Sequence, residues 1–565
     1  MNTEISITLN PEDENKNLVI LQKIIKELKK QKITVPQAGS KDKIRFVNIK
    51  RSVDARHAKV KLYMRYKVYI GERIEDQDIG QKTVGGASCK AETGRQDFLP
   101  IRKIEHGDGA KKVVIIGSGP AGLFGALRLL ENGIRPVIIE RGSNVSQRKR
   151  DIAQISLNGV VDPNSNYCFG EGGAGTFSDG KLYTRSNKRG DVSRILKILV
   201  YFGADPAILT DSHPHIGTDK LPKIIDAVRS TIIDAGGEFY FNTLFTDFLF
   251  DGRSNAKTVC GVRVQNTKTG ESFQLDADAV LLASGHSASD IYFTLAKTDP
   301  SSLEAKTFAA GVRVEHPRKI IDKIQYHGNA SNLLSAAEYS LTTQAEGRGV
   351  YSFCMCPGGF VVPSSTSSAE IVINGMSQSS RNSPWSNSAV VVEIRPEDIP
   401  ERFTEEAKQK GCVALAGLFY RTYLEIQTKK HGEGQKAPAQ RLCDFLDKRP
   451  SQELPKSSYF PGLVPSRLDL WLDSHIKTRI EQGFKNFNKM MKGFICPEAI
   501  IIASETRTST PVRILRSKET FESPALKNLF PAGEGSGYSG GIVSSAMDGE
   551  NACAAIAKKL KSSSS

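Results

Sequence analysis

The clearest hydrophobic pattern in the chain lies between residues 111 and 141. Residues 113–116 form a short, uninterrupted run of Val and Ile, as expected for a strand buried on both faces. Apolar residues then recur at helical spacing over residues 123–130, and a second apolar run, residues 137–139, ends at Glu140. The pattern predicts a strand, a helix and a second, parallel strand, which is the repeating unit of an α/β fold.

The turn between the first strand and the helix suggests what this unit binds. Gly117 permits a tight turn, Gly119 lets the backbone approach a diphosphate at the helix N-terminus, and Gly122 lets helix and strand pack closely. Glu140 stands where an acid binds ribose hydroxyls, which favours an unphosphorylated adenosine ribose over that of NADP. Dinucleotide binding is therefore predicted, with FAD and NAD both open at this point. The whole turn consists of Gly117, Ser118, Gly119, Pro120, Ala121 and Gly122.

Three later stretches extend this unit. Residues 170–180 are rich in glycine, and residues 278–285 are a buried strand running into Ala-Ser-Gly. Residues 528–535 are a short strand ending in Gly-Glu-Gly, followed by a helical pattern over residues 544–560. The nucleotide domain is therefore expected to be assembled from two separated parts of the chain.

Together these stretches resemble the four FAD contacts of glutathione-reductase-like flavoproteins. The chain is more closely similar to a family of largely uncharacterised bacterial FAD-dependent dehydrogenases within that superfamily. The motifs that carry the resemblance are FGEGGAGTFSDGKL (169–182), PHIGTDKL (214–221), YSFCMCPGG (351–359), VINGMS (372–377), ETRTSTPVRI (505–514) and AGEGSGYSGGI (532–542). The resemblance implies that FAD is the cofactor.

The resemblance also implies which residues contact FAD. Two positions depart from the pattern, because Glu534 replaces the usual Asp at the ribityl position and Ser289 replaces an expected Arg. Besides the turn, the implied contacts are Glu140, Arg141, Gly172, Gly173, Gly175, Thr176, Ser178, Ser284, Gly285, Gly533, Glu534, Gly541 and Ile542.

Changes of pattern divide the chain into three units. Residues 1–105 are expected to form a small N-terminal α+β domain and a linker, the latter over the polar residues 80–109. Residues 106–298 and 500–565 form the Rossmann-like domain with an inserted β-meander, and residues 299–499 a mixed α+β substrate or cap domain. The cap region holds no second strand–GxGxxG–helix unit. A built-in NAD(P)H domain is therefore not expected, and a nicotinamide donor would bind only transiently.

Composition narrows the class of protein. The 565 residues are 39% hydrophobic with a mean hydropathy of -0.31, and no apolar run approaches the ~18 residues that span a membrane. An acidic N-terminus and nine scattered cysteines predict a cytoplasmic protein without a disulfide framework or a metal site. The net charge of +15 is dispersed and no RNA-binding motif accompanies it, so a nucleic acid partner is not expected.

Five residues are candidates for chemistry. Arg313 and Arg507 have the guanidinium geometry that clamps a carboxylate or phosphate. His286 follows a strand end, where loops reach ligands in open α/β sheets; His316 lies near Arg313 in the sequence. Lys181 follows the glycine-rich loop, and a cation there would stabilise a reduced, anionic flavin. The alternative for each is a structural role or, for Lys181, an exposed surface position.

The sequence therefore predicts an FAD-dependent oxidoreductase that transfers a hydride between flavin N5 and an unidentified small organic substrate. Two alternatives stay open: a flavin-dependent RNA-modifying enzyme, suggested by the +15 charge, and a flavoprotein in which FAD is structural. The close pair Cys354 and Cys356 is interpreted as packing, with a redox role as its alternative.

Overall fold

The computed structural model describes residues 2–35, 44–57, 59–70, 99–105, 109–184, 189–252, 257–328 and 334–562. Most of the linker expected over residues 80–109 lies outside these ranges. Within them, none of the helices combines the length and the apolar character needed to cross a membrane.

The N-terminal unit is an antiparallel sheet covered by one helix, as expected. Apolar residues at alternate positions of the first strand, such as Ile5 and Ile7, pack against one face of the helix, which includes Ile20 and Ile24. The unit docks on the next domain through Arg51, whose N–H donates to the carbonyl of Thr210. Its elements are β1 (Asn2–Leu9), α1 (Asn17–Lys30), β2 (Ile44–Asp54) and β3 (Lys61–Ile70), in the sheet order β1-β3-β2.

The second unit begins with the strand–helix–strand pattern seen in the sequence. The antiparallel meander expected before the Ala-Ser-Gly strand is present as β7-β8-β9. Its elements are β4 (Lys112–Ile116), α2 (Pro120–Glu131), β5 (Arg135–Ile139), α3 (Val145–Asn158), α4 (Val192–Tyr201), α5 (Leu221–Asp234), β6 (Glu238–Tyr240), β7 (Thr243–Phe250), β8 (Val259–Asn266), β9 (Ser272–Asp276), β10 (Ala279–Leu282) and α6 (Ser289–Thr298).

The third unit is built on a seven-stranded, mostly antiparallel sheet in the order β13-β14-β17-β12-β20-β18-β19. Strand β20, the last of these along the chain, lies beyond residue 499, where the sequence analysis placed the end of the cap domain. The elements are β11 (Leu303–Ala305), β12 (Phe308–Pro317), α7 (Arg318–Gln325), β13 (Thr342–Ala345), β14 (Arg348–Cys356), β15 (Phe360–Pro363), β16 (Ile373–Met376), β17 (Trp385–Ile394), α8 (Glu401–Gln409), α9 (Ala416–Lys430), β18 (Ala437–Arg441), α10 (Leu442–Leu446), β19 (Leu463–Pro465), α11 (Leu468–Trp471), α12 (Ser474–Met490) and β20 (Ile500–Glu505).

After β20 the chain forms β21 (Val512–Ile514), which pairs with β11, and then returns to the second unit through β22 (Leu529–Pro531) and α13 (Ile542–Ser562). The five-stranded sheet β22-β10-β4-β5-β6 is parallel throughout. Helix α13 packs closely on α2 at Gly549, which has no side chain. A Cβ at this position would lie 2.0 Å from the carbonyl oxygen of Ala121. The α/β class and the assembly of this unit from two separated stretches are thus present in the structure.

Candidate functional site

One cavity of about 360 Å³ lies between the parallel sheet and the seven-stranded sheet. Its volume falls in the range of small-molecule and cofactor sites, roughly 300–1,000 Å³. One side is lined by the glycine turn, the glycine-rich loop and the ends of β10 and β22. The other side is contributed by the third unit through Phe353, Cys354, Asn374, Glu505 and Arg507.

The glycine turn has a shape that side chains would prevent. Gly117 has φ +103°, and a Cβ there would lie 2.5 Å from the carbonyl oxygen of Ala283. A Cβ on Gly122 would lie 2.0 Å from the carbonyl oxygen of Gly117. Helix α2 begins within the turn, at Pro120, and the first N–H groups of a helix lack intrahelical partners. With Gly119 in the cavity wall, this helix end fits a diphosphate.

Glu140 ties the turn to the neighbouring loops. One carboxylate oxygen accepts hydrogen bonds from the N–H (3.0 Å) and hydroxyl (2.8 Å) of Ser118. The other accepts from the N–H groups of Gly142 and Gly170, both at 3.0 Å. Glu140 also lines the cavity beside Arg141. The structure thus places it at the wall, and its role toward a ribose stays a prediction.

The glycine-rich loop is held in place by Arg148, a residue that the sequence analysis did not single out. Its buried guanidinium donates to the carbonyls of Asn166, Tyr167, Gly170, Glu171 and Gly173. Burial lowers the pKa of Arg148 to about 10. Its position on α3, at helical spacing from the buried residues Val145, Ile152 and Ile155, was the available signal.

Most of the implied FAD contacts line this cavity. They are Gly117, Gly119, Pro120, Ala121, Glu140, Arg141, Gly173, Gly175, Ser178, Ser284, Gly285, Gly533, Glu534, Gly541 and Ile542. Ser118, Gly122, Gly172 and Thr176 lie behind the wall and shape it. A Cβ on Gly172, for instance, would lie 2.1 Å from Oγ1 of Thr176.

Glu534 lies in the loop between β22 and α13 and lines the cavity. Burial raises the pKa of Glu534 to about 7, although Lys306 acts in the other direction. Gly540 and Gly541 precede the helix and line the cavity, so a second helix N-terminus contributes to the site. The cavity therefore has two helix ends suited to electron-rich groups of a ligand.

His286 lies in the cavity wall, as the sequence predicted. Its Nδ1 is 3.0 Å from the hydroxyl of Ser287. Burial lowers the pKa of His286 to about 3, and the positive charges of Arg421 and Arg507 add to this effect. The imidazole is therefore neutral near pH 7, when it donates one hydrogen bond and accepts another.

Arg507 lines the cavity but is engaged by protein groups. It donates from Nε and Nη2 to the carboxylate of Glu425, both at 3.0 Å, and from Nη2 to Glu370 at 2.6 Å. Its Nη1 donates to the hydroxyl of Thr366 at 3.1 Å. The expected clamp for a carboxylate or phosphate is thus occupied by these internal acids. Sequence reasoning missed Glu425 and its neighbour on α9, Arg421.

Arg313 lies behind the wall rather than in it. The guanidinium is fully buried and donates to Glu505 (2.9 Å), Asn387 (2.7 Å) and Asn374 (3.1 Å). Because Asn374 and Glu505 line the cavity, Arg313 positions two wall residues that sequence reasoning missed. The structure does not present it to a ligand, in contrast to the expected clamp.

His316 belongs to the core of the third unit. It is fully buried, and its Nε2 lies 2.7 Å from the carbonyl oxygen of Phe494. Burial lowers the pKa of His316 to about 4. Because β12 directs this side chain away from the cavity wall, the structure does not group it with His286 and Arg507 as expected.

Lys181 lies in the cavity wall, and its side chain is 35% exposed. Its Nζ is 2.9 Å from Asp179, which is also paired with Arg381 at 2.7 Å. Lys181 therefore brings a cation to the part of the cavity that faces Phe353 and Cys354.

Comparison with protein families gives two matches. Residues 307–508 match the model of the family described as FAD-dependent protein, C-terminal domain-like. Residues 110–154 match the model of an FAD binding domain. The first match covers the third unit, including β20, and the second covers the glycine turn and Glu140.

A relative from Clostridium beijerinckii, described as an uncharacterized protein, is 37% identical over 531 residues. The match covers 91% of this chain and 92% of the relative. Among solved structures, the flavin-dependent halogenase CmlS is 14% identical with a TM-score of 0.34, covering 81% of this chain and 60% of the halogenase. A geranylgeranyl bacteriochlorophyll reductase-like protein from Thermoplasma acidophilum is 11% identical with a TM-score of 0.32, covering 80% of each chain. Both structures are too distant to bear on function.

The glycine turn, the helix end beside it and the family matches agree on one cofactor, FAD. The chain belongs to the same family as the Clostridium beijerinckii protein, and it is an FAD-dependent protein.

Proposed function

We propose that this protein is an FAD-dependent oxidoreductase that transfers a hydride between flavin N5 and a small organic substrate. The observation that carries the proposal is the continuity of the cavity. The cavity that is lined on one side by the glycine turn is lined on the other by Phe353, Cys354 and Asn374 of the third unit. A substrate bound against the third unit would therefore lie in the same cavity as the cofactor, with no protein layer between them.

Bound FAD supplies the two-electron chemistry, and the chain supplies its position and surroundings. The turn at Gly117 and the start of α2 would hold the diphosphate. Lys181 would place a cation beside the reacting end, where the neutral His286 supplies a hydrogen bond without a charge.

Asn374 is the best candidate to orient a substrate. Its Oδ1 accepts hydrogen bonds from Arg313 (3.1 Å) and from the N–H of Gly375 (2.7 Å). With the Asn374 amide in this orientation, its nitrogen is available as a hydrogen-bond donor in the cavity wall. An acceptor oxygen on the substrate, such as a carbonyl, would suit that donor.

A resident NAD(P)H domain is not part of the proposal. Within the described ranges, β22-β10-β4-β5-β6 is the one sheet made wholly of parallel pairs, and it carries the FAD turn. A nicotinamide donor would instead bind transiently at the cavity mouth, where Tyr183 is 58% exposed and Phe353 37% exposed.

The test is an absorbance spectrum of the purified protein, followed by anaerobic addition of NADH and then NADPH. We expect a flavin spectrum that bleaches with one of the two donors or, failing that, with a substrate from a panel of organic reductants. Bound flavin that no donor or substrate reduces would contradict the proposal and favour structural FAD. A protein that retains no flavin after reconstitution with FAD would contradict it as well.

A further inference from the structure

Cys354 and Cys356 lie at an irregularity of β14. Phe353 pairs with Ala389 and Cys356 with Asn387, so the strand gains one residue relative to β17. Cys354 takes up this extra residue with φ +43°, a left-handed conformation that is costly for a residue other than glycine. In a regular strand their Cα atoms would be ~6.6 Å apart, near the upper limit for a disulfide. The bulge instead turns the Cys356 thiol toward Cys354, to whose carbonyl oxygen its sulfur lies 3.3 Å away.

The two cysteines differ in access. Cys354 is partly exposed and lines the cavity that holds the FAD-binding turn. Cys356 is fully buried behind it, where a Cβ on Gly375 would lie 2.9 Å from its sulfur. Its thiol donates to the carbonyl oxygen of Cys354 at 3.3 Å. An accessible sulfur backed by a buried partner is the arrangement needed for a thiol that attacks and a second thiol that resolves.

Positive charge surrounds this pair. Arg313 donates to the carbonyl oxygen of Cys354 at 3.2 Å, and Lys181 lies in the same cavity wall. Three acids oppose them: Asp179, which is paired with Lys181, Glu505, which is paired with Arg313, and Glu534, which lines the same cavity. The hydrogen bond from Cys356, together with Lys181 and Arg313, lowers the pKa of Cys354 despite burial. The nucleophilic thiolate form is therefore favoured at the sulfur that faces the cavity.

We propose that Cys354 and Cys356 form a redox-active dithiol that exchanges two electrons with FAD in this cavity. The inference rests on the proposed function above and narrows its substrate to thiols and disulfides. In the oxidising direction both S–H bonds break, one S–S bond forms, and two electrons and two protons pass to oxidised FAD. An external dithiol restores the pair by thiol–disulfide exchange and leaves as a disulfide.

The first experiment measures the oxidation state of the pair in the FAD-loaded, full-length protein. Trypsin releases residues 349–381 as one peptide, in which Cys354 and Cys356 are the sole cysteines. After equilibration with oxidised or reduced dithiothreitol, the protein is quenched in acid and alkylated with N-ethylmaleimide. We expect an unlabelled peptide lighter by two hydrogens from the oxidised sample, and a doubly labelled peptide from the reduced sample.

The second experiment counts electrons by anaerobic titration with dithionite. Oxidised wild-type protein should consume about four electrons per FAD, two for the flavin and two for the disulfide. Cys354→Ser and Cys356→Ser should each consume about two. Cys443→Ser, which removes a partly exposed thiol from α10 outside the cavity, should behave as wild type.

A peptide that stays doubly labelled after oxidation, with about two electrons per FAD in every protein, would overturn the inference. Flavin that is still reduced by a substrate would then leave the proposed function intact. A protein that binds no FAD would overturn both. The wild-type peptide mass and titration decide the matter even where a serine variant fails to fold.

Discussion

Arg507, which lines the FAD cavity, pairs side by side with the buried Glu425, and Nε and Nη2 of the arginine each lie 3.0 Å from a carboxylate oxygen. Arg507 follows β20 and Glu425 lies on α9, and both side chains are buried. Burial opposes the charge of Arg507, but Glu425 and Glu370 outweigh it and raise the pKa of Arg507 well above its ordinary value. The pair joins two elements of the third unit beside the cofactor site.

Replacing Arg507 by Met is predicted to destabilise the protein by about 3 kcal/mol, because the buried Glu425 would lose its two-point ion pair and keep only Arg421, 3.9 Å away, as a charged partner. Urea unfolding of the wild type and the variant measures this difference. The double variant Arg507→Met, Glu425→Leu should recover part of the loss, since it removes the stranded charge. Unchanged stability with a raised KM for an anionic substrate would instead support the ligand clamp predicted from the sequence.

Gly122→Ala is predicted to weaken FAD binding by at least about tenfold, that is, ~1.4 kcal/mol. The added Cβ would lie 2.0 Å from the carbonyl oxygen of Gly117, so the turn cannot close as it does now. The ratio of flavin to protein absorbance after dialysis against a fixed FAD concentration reports the change. Gly252→Ala is the matched control, because a Cβ there meets no atom of the described residues within 4 Å. Equal FAD retention in the two variants would contradict this explanation of the turn.

Sequence patterns predicted those elements of the fold that depend on residues close together in the chain. The strand–turn–helix unit at Gly117 could be predicted from its apolar runs and from its glycines, which stand where a tight turn leaves no room for a side chain. In the cap domain, apolar residues at helical spacing run over residues 399–423, yet the structure has two helices there, α8 and α9, separated at Gly411, which has φ +79°. Apolar spacing continues across that break, so periodicity alone did not reveal it.

The chemistry of the site depended on contacts that sequence spacing does not encode. Arg313 and His316 are neighbours on β12, yet one positions the cavity wall and the other packs in the core. Arg421 donates to the carbonyl of His286 at 3.2 Å, from 135 residues away in the chain. Such partners depend on how helices pack on sheets, so a single sequence identified the cofactor turn but not the ion pairs behind it.

His286 is predicted to remain neutral from pH 5 to pH 8, because burial, Arg421 and Arg507 lower its pKa to about 3. NMR of protein carrying ¹³C-labelled histidine tests this, with His286→Asn identifying the resonance. Its chemical shift should stay constant across this range. His213 is the internal contrast, since its bond to Glu338 raises its pKa above 6.5 and its resonance should titrate. A midpoint for His286 within the range would contradict the buried, neutral state.

Glu534 is predicted to make the stability of the FAD-free protein fall with rising pH. Burial raises its pKa from 4.5 to about 7, so between these values the folded state binds a proton that the unfolded state has released. The stabilisation is therefore complete below pH 4.5 and is lost as the pH rises through about 7. Other carboxylates titrate in the same range, so the relevant quantity is the difference between wild type and Glu534→Gln.

Urea unfolding of both FAD-free proteins at intervals from pH 4.5 to pH 8 gives that difference. As the pH rises, we expect the free energy of unfolding of the wild type to fall relative to that of Glu534→Gln by up to ~1.4 kcal/mol per pH unit. The difference should level off above pH 7. Glu433→Gln serves as the control, because the Glu433 side chain is 71% exposed. A difference that does not change with pH would mean that Glu534 is ionised in the folded protein. At the ribityl position that the sequence predicts for it, Glu534 would then be a carboxylate rather than a neutral hydrogen-bond donor.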